Sequence, residues 1–277
     1  MTTPSLYSPL RIRSALVRKA RLCRIFWLGL GLAAMTTGAW AVELDDVVHA
    51  LETPFQANAD KNTRIFDYSA DFSQESRIAS LDRRQKASGL IDVAFADRGP
   101  EKDTEVKFRW LYLQPTTQEI VSDGKTLWVY LPENNQVIQS DIGSDQDARQ
   151  NDPMIFLTGL GNLSRDFQVN WASPRSDDLG NHVLELTPRQ ASPMISRLVI
   201  VVDRLAVQAY LEHKQKGGAS GVHFPILSTT VYDPNGNSTV ITFSNLRVNL
   251  GIPGARFTFI IPEGVQVVRP PGSEAAY

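Results

Sequence analysis

Ser122-Asp123-Gly124-Lys125-Thr126 comes nearest to catalytic chemistry in this 277-residue chain. Gly124-Lys125-Thr126 matches the end of a phosphate-binding loop, where a Lys and a hydroxyl hold phosphate and magnesium. That loop needs a Gly five residues before Gly124, where Glu119 stands, and a helix after it, where the sequence reads as strand. Ser122 and Lys125 also fit S-x-x-K, a nucleophile–base pairing that needs both residues on one helix face. Asp123-Gly124 predicts a hairpin turn there, with φ > 0 at both residues. The glycines at Gly217–Gly221 miss the G-x-S-x-G spacing, because Val222 stands at the last position. His49, His182, His213 and His223 lie on separate elements, with no helical pair to hold zinc. The 30 acidic residues are scattered over polar faces. The expectation is a protein without catalytic residues, metal or cofactor.

The elements around that turn are more informative. Lys107–Leu113, Glu119–Ser122, Thr126–Leu131 and Gln136–Ser140 read as consecutive strands, broken by Gln114-Pro115, Asp123-Gly124 and Pro132–Asn135. They are rich in Trp, Tyr, Phe and Leu, and so build a wall with a large apolar surface. Upstream, Leu44, Val47, Val48, Leu51 and Phe55 fall at helical spacing, with Pro54 ending or kinking the helix near Glu52. Ile65–Arg77 alternates, with Phe66, Tyr68, Ala70 and Phe72 on one side. Ser80–Ser88 is polar, Gly89–Ala96 reads as a strand, and Asp97–Thr104 as a charged turn.

After an acidic loop at Asp141–Asp152, Pro153–Ser164 (PMIFLTGLGNLS) is nearly all apolar and predicts a short helix that must bury itself or cover something apolar. Phe167–Ala172, His182–Pro188, Arg197–Asp203, Val207–Lys214, Ser228–Pro234, Ser238–Val248 and Phe257–Ile261 then read as strands, with a short one at Val265–Val268. Turn residues link them, including Asp177–Asn181 and Asp233–Asn237. Many antiparallel strands and few helices imply a barrel or a strongly curved sheet.

The N-terminus carries five Arg and one Lys between Arg11 and Arg24, then an apolar run at Ile25–Ala34 and Ala39-Trp40-Ala41. This is the pattern of a cleaved secretory signal over residues 1–41, leaving 42–277 as the mature domain. The apolar run is shorter than the roughly 20 residues of a spanning helix. The single cysteine, Cys23, precedes that run, so the mature chain is expected to hold together by core burial alone. The net charge is −2, and without the basic leader the chain is distinctly acidic, which disfavours nucleic-acid and anionic-membrane binding. Phe108, Trp110, Leu127, Trp128, Tyr130, Phe156, Leu157, Leu160 and Leu163 form either an ordinary core or the lining of a cavity for an apolar ligand.

The segment FRWLYLQPTTQEIVSDGKTLWVYLPENNQV closely resembles the outer-membrane lipoprotein carrier family, LolA. The matching residues are Phe108, Trp110, Pro115, Ile120–Trp128, Tyr130 and Pro132, followed by FLTGLGNLS (Phe156–Ser164) and FTFIIPEGVQVV (Phe257–Val268). The resemblance implies an unclosed antiparallel half-barrel with a helical lid over an apolar cavity, in a monomeric, non-catalytic periplasmic protein. It further implies that lipoprotein acyl chains are received from an inner-membrane ABC transporter and passed to an outer-membrane receptor. The family's Arg-Pro before the F-x-W strand, whose Arg helps hold the lid closed, is Thr104-Glu105 here, with Lys102 and Lys107 nearby. The rival readings are a sensor or adaptor of related fold and a lipid esterase lacking an evident nucleophile and base. On the carrier reading, Trp128→Ala and Leu160→Arg both impair lipid binding.

Overall fold

Two strand meanders meet edge to edge and build one open sheet. In the computed structural model the described residues are 42–96, 105–141, 160–216 and 222–269, all within the compact unit Ala41–Tyr277. The expected leader with Cys23, the turn at Asp97–Thr104, most of the acidic loop, Phe156, Leu157 and the Gly217–Gly221 loop lie outside them. The first meander is β1 (Asp67–Ile78), β2 (Arg83–Ala96), β3 (Glu105–Gln114), β4 (Gln118–Ser122), β5 (Thr126–Leu131) and β6 (Gln136–Asp141). The second is β7 (Phe167–Ser176), β8 (His182–Pro188), β9 (Arg197–Val202), β10 (Ile226–Tyr232) and β11 (Ser238–Val248). β11 pairs antiparallel with β1, and β12 (Gln266–Val268) adds to β6 in parallel, the one exception among the described residues to the antiparallel expectation. The order β12-β6-β5-β4-β3-β2-β1-β11-β10-β9-β8-β7 has two free ends, so the sheet does not close.

Turn chemistry differs in detail from the reading of the sequence. Gly124 has φ +92°, but Asp123 stays out of the left-handed region. Its carboxylate instead accepts the N–H groups of Lys125 and Thr126 at 2.9 and 2.8 Å. The positive φ favours glycine here, and a Cβ would also fall 2.5 Å from the Glu105 side chain, which would have to shift to make room. Asp233 closes the β10–β11 turn the same way, accepting from Asn235 and Asn237. At Gly89 the register slips against β3, and a Cβ there would lie 1.9 Å from the Leu111 carbonyl oxygen.

Helix α1 (Leu44–Glu52) ends in a 3-10 turn at Thr53–Phe55, as Pro54 requires. It buries Val47 and Leu51, with Phe55 following, while Leu44 and Val48 pack at the margin. The short α2 (Leu163–Asp166) follows a 3-10 turn at Leu160–Asn162. A third helix corrects the expectation of a strand at Val207–Lys214: Arg204–Lys216 is α3. Ala206 and Val207 are buried, and Tyr210 and Leu211 pack against the core, a helical rather than alternating spacing. The Asp203 carboxylate accepts the Leu205 N–H at 2.9 Å and starts this helix.

Phe257–Ile261 is also not a strand. A 3-10 turn at Gly254–Phe257 belongs to a strap that leaves β11 and crosses the outer faces of the first meander to reach β6. Asp67 anchors its start by accepting the N–H groups of Leu250, Gly251 and Ile252. Arg256 Nε donates to Asp92 Oδ2 at 2.7 Å midway, and Asn135 holds the Gly264 carbonyl at the far end. Because the strap runs across the strands, its backbone cannot pair along them.

Candidate functional site

Directly paired residues point to the same side of a sheet, so the strand register sorts the aromatic wall into two faces. Trp110 pairs with Ile91 on one neighbour and Ile120 on the other, and Ile91 pairs with Ala70. Phe108 pairs with Val93 and Ser122, and Ser122 with Leu127. Phe108, Trp110 and Leu127 therefore share the face that carries the main core. Trp128 pairs with Val121 and Gln139, and Tyr130 with Glu119 and Val137, which places both on the opposite face. There they meet Phe259 of the strap, with ring centroids 6.3 and 5.7 Å away. Buried Val121, Val137 and Phe257 form this second cluster, separate from the main one.

Trp128 and Tyr130 thus lie on the face opposite to Trp110, not on one wall with it. A strand alternates sides with period two, and nothing local in a Trp-Val-Tyr run says which side is roofed. Trp128→Ala is accordingly expected to loosen the strap at a cost of about 1–3 kcal/mol, since the ring is only half-buried, and to leave acyl binding near wild type. Thermal melts alongside titration with a fluorescent fatty-acyl probe check both halves of this.

The middle of the inner face is mostly apolar, and at the far end of β1 Gln74 follows Phe72 on the same side and accepts from the Tyr112 hydroxyl. Phe72 lies 4.4 Å from Trp110 and 5.1 Å from Tyr112 by ring centroids, and pairs across to Phe243. The second meander extends the wall through Ile200, Leu184, Leu186 and Leu198, all fully buried. Alternation would have found this half, but it has fewer aromatics to draw notice. Helix α1, Phe55, Leu160, Leu163, α3 and Phe224 cover the face. His49 stacks on Tyr210 at 6.5 Å, and Lys214 bonds Asp46 at 2.9 Å, which ties α1 to α3. Of the expected site residues, the structure brings Phe108, Trp110, Leu127, Leu160 and Leu163 to this covered face.

Polar atoms here are few. Tyr68 Oη, Trp110 Nε1 and Thr229 Oγ1 are buried without a hydrogen-bond partner among the described residues, each at a cost of about 1–3 kcal/mol. Burial alone pushes the Tyr68 phenol well above its ordinary value. It likewise lowers the pKa of His182, which stands beside Trp171. Glu52 is the buried carboxylate of the cover. Its Oε1 accepts the Ser164 N–H and its Oε2 the Ser164 hydroxyl at 3.0 Å. Ser122, of the S-x-x-K match, accepts the Gly124 N–H at 3.1 Å and closes the turn. Among the described residues no group of three His, Cys, Asp or Glu could hold a metal, and no helix is long and apolar enough to cross a membrane. A hollow of about 600 Å³ at the far ends of β1 and β2 is lined by Ser73, Glu75, Lys86 and Gln114 together with Ala87 and Val240, a mixed surface.

The chain matches a family model described as outer membrane lipoprotein carrier protein LolA over residues 64–209. An outer-membrane lipoprotein carrier protein from Chromobacterium violaceum is 30% identical over 227 residues, covering 80% of this chain and 93% of that one. The Vibrio parahaemolyticus protein of the same name is 29% identical, covering 72% and 78%. Among solved structures, a LolA superfamily protein from Nitrosomonas europaea aligns at 14% identity with a TM-score of 0.35, covering 79% of this chain and 99% of that one.

Proposed function

The chain belongs to the outer-membrane lipoprotein carrier protein LolA family, and from that premise we propose that its covered inner face shelters the acyl chains of a lipoprotein in transit. The observation that carries this reading is the continuous apolar wall from Phe108 and Trp110 to Leu184, roofed by short helical pieces rather than by a second sheet. Each methylene removed from water contributes about 0.8 kcal/mol, so a free acyl chain faces a barrier on the order of 10 kcal/mol to crossing an aqueous space. A wall whose cover can be displaced lowers that barrier and needs no nucleotide or metal.

In this reading the protein works in the periplasm as a monomer and performs no bond chemistry. It takes cargo from an inner-membrane ABC transporter and yields it to an outer-membrane receptor. The mature chain's acidity supports a carrier that does not linger on anionic headgroups. Phe108, Trp110, Leu127, Leu160 and Leu163 are the residues proposed to meet the acyl chains, and Trp128 and Tyr130 are left to hold the strap. The test is release of lipoprotein from spheroplasts. Added protein is expected to bring triacylated lipoprotein into a soluble one-to-one complex. Failure to release any, with folded protein and active transporter, contradicts the proposal.

A further inference from the structure

The loop segment Leu160–Asp166 is bound to α1 by polar bonds at an otherwise apolar seam. Leu160 and Leu163 are buried in the same apolar cluster as Leu51 and Phe55. At the end of α1, Glu52 takes both the N–H and the hydroxyl of Ser164. Just beyond, Gln56 Nε2 donates to the Gly161 carbonyl at 3.1 Å. Gly161 runs so close to the chain that a Cβ would stand 3.2 Å from the Phe55 carbonyl oxygen. On its other side the segment is held by Arg189, whose Nε donates to the Ser164 carbonyl at 3.3 Å and whose N–H donates to Asp166 at 3.0 Å.

An apolar seam alone would not favour this closed arrangement over one filled by acyl chains, because hydrocarbon replaces side chains at little cost. A buried carboxylate does discriminate. Its bonds to Ser164 exist only when the segment is docked, and water satisfies the same groups when it lifts. A four-residue helix is also too short to hold itself in place. We propose that Glu52, with Gln56, is the latch that keeps the inner face shut until cargo arrives, gripping Ser164 and Gly161. The proposal rests on the carrier reading for its purpose, but not for its test. It also supplies a closing contact independent of position 104, where the Arg that the sequence resemblance led one to expect is a Thr.

The latch has a pH sense. Desolvation raises the Glu52 pKa above the ordinary glutamate value; the bonds from Ser164 and the charge of His49 act against that rise, and Asp166 adds to it. Opening returns Glu52 to water and to its ordinary value, so opening releases a proton. The docked state is therefore favoured at acid pH and weakens as pH rises through the raised value. Glu52→Gln keeps an acceptor for the Ser164 N–H and a donor for its hydroxyl without the ionisable group.

Hydrogen exchange of the full mature chain, with no ligand present, tests the latch. In Glu52→Ala, and separately in Ser164→Ala with Gln56→Ala, amides of 160–166 are expected to exchange about tenfold faster while those of β1 and β2 hold. Glu52→Gln is expected to stay protected and to lose the wild-type pH dependence of opening. Unchanged exchange at 160–166 in the folded Ser164→Ala, Gln56→Ala protein overturns the latch, as does Glu52→Gln opening as fast as Glu52→Ala. A fluorescent fatty-acyl probe then separates the two readings. If wild type binds no probe, the carrier reading fails while the exchange result stands.

Discussion

Replacing Leu160 by Arg is expected to lift the Leu160–Asp166 segment off α1 and to abolish retention of acyl cargo while the sheet stays folded. Leu160 is fully buried in the main cluster beside α1. A guanidinium there would lack a free counter-charge: Glu52, the buried carboxylate of the cover, is committed to Ser164. An uncompensated buried charge costs about 3–5 kcal/mol, more than a short segment can sustain, so the segment and not the sheet gives way. Circular dichroism close to wild type, with probe retention reduced by a hundredfold or more, is the expected pair of results. Intact binding in a folded Leu160→Arg protein would remove this segment from the site.

The other large effect belongs to Trp110. Its side chain has no exposed surface, lies against Phe72 and near Tyr112, and stands at the middle of the wall. Trp110→Ala is expected to cost about 3–5 kcal/mol and to lower the melting temperature by on the order of 10 °C. Acyl affinity should fall with it, because the cavity left behind opens on the surface that the cargo would contact. Trp110→Phe, which restores most of the ring and removes the unpartnered indole N–H, should recover most of the stability. The contrast with Trp128→Ala is the informative part: two tryptophans of one meander, one on each face, should separate acyl binding from strap stability. Equal loss of binding in both would mean that the strap face also meets cargo.

Much of this was legible in the residues. Tyr68, Ala70 and Phe72 alternate inward as their pattern predicts, whereas Phe66, expected with them, precedes β1 and is 40% exposed; α1 stops where Pro54 demands. Ser122–Thr126 forms the hairpin turn that Asp123-Gly124 predicts, closed by the Ser122 and Asp123 side chains. Some elements depart from their local pattern, for different reasons. Val207–Lys214 is compatible with both periods over so short a window, and only the Asp203 cap and the packing of Val207, Tyr210 and Leu211 decide for helix. Phe257–Ile261 has strand composition, but Asp67 and Asp92 turn it across the sheet, and Ile260 is left 83% exposed. The faces of Trp128 and Tyr130 depend on that strap, which lies more than a hundred residues away in sequence. The Glu52–Ser164 contact is likewise non-local. In the sequence, Glu52 is simply a polar residue near the end of an amphipathic helix.

The measurement that bears most directly on the central claim is native mass spectrometry of the protein purified from cells that export it, followed by extraction of bound lipid. The account predicts about one triacylated lipoprotein per chain, and its loss in Leu160→Arg. A clean apo mass, unchanged after incubation with lipoprotein in detergent micelles, would contradict it and turn attention to a sensor or adaptor of the same fold.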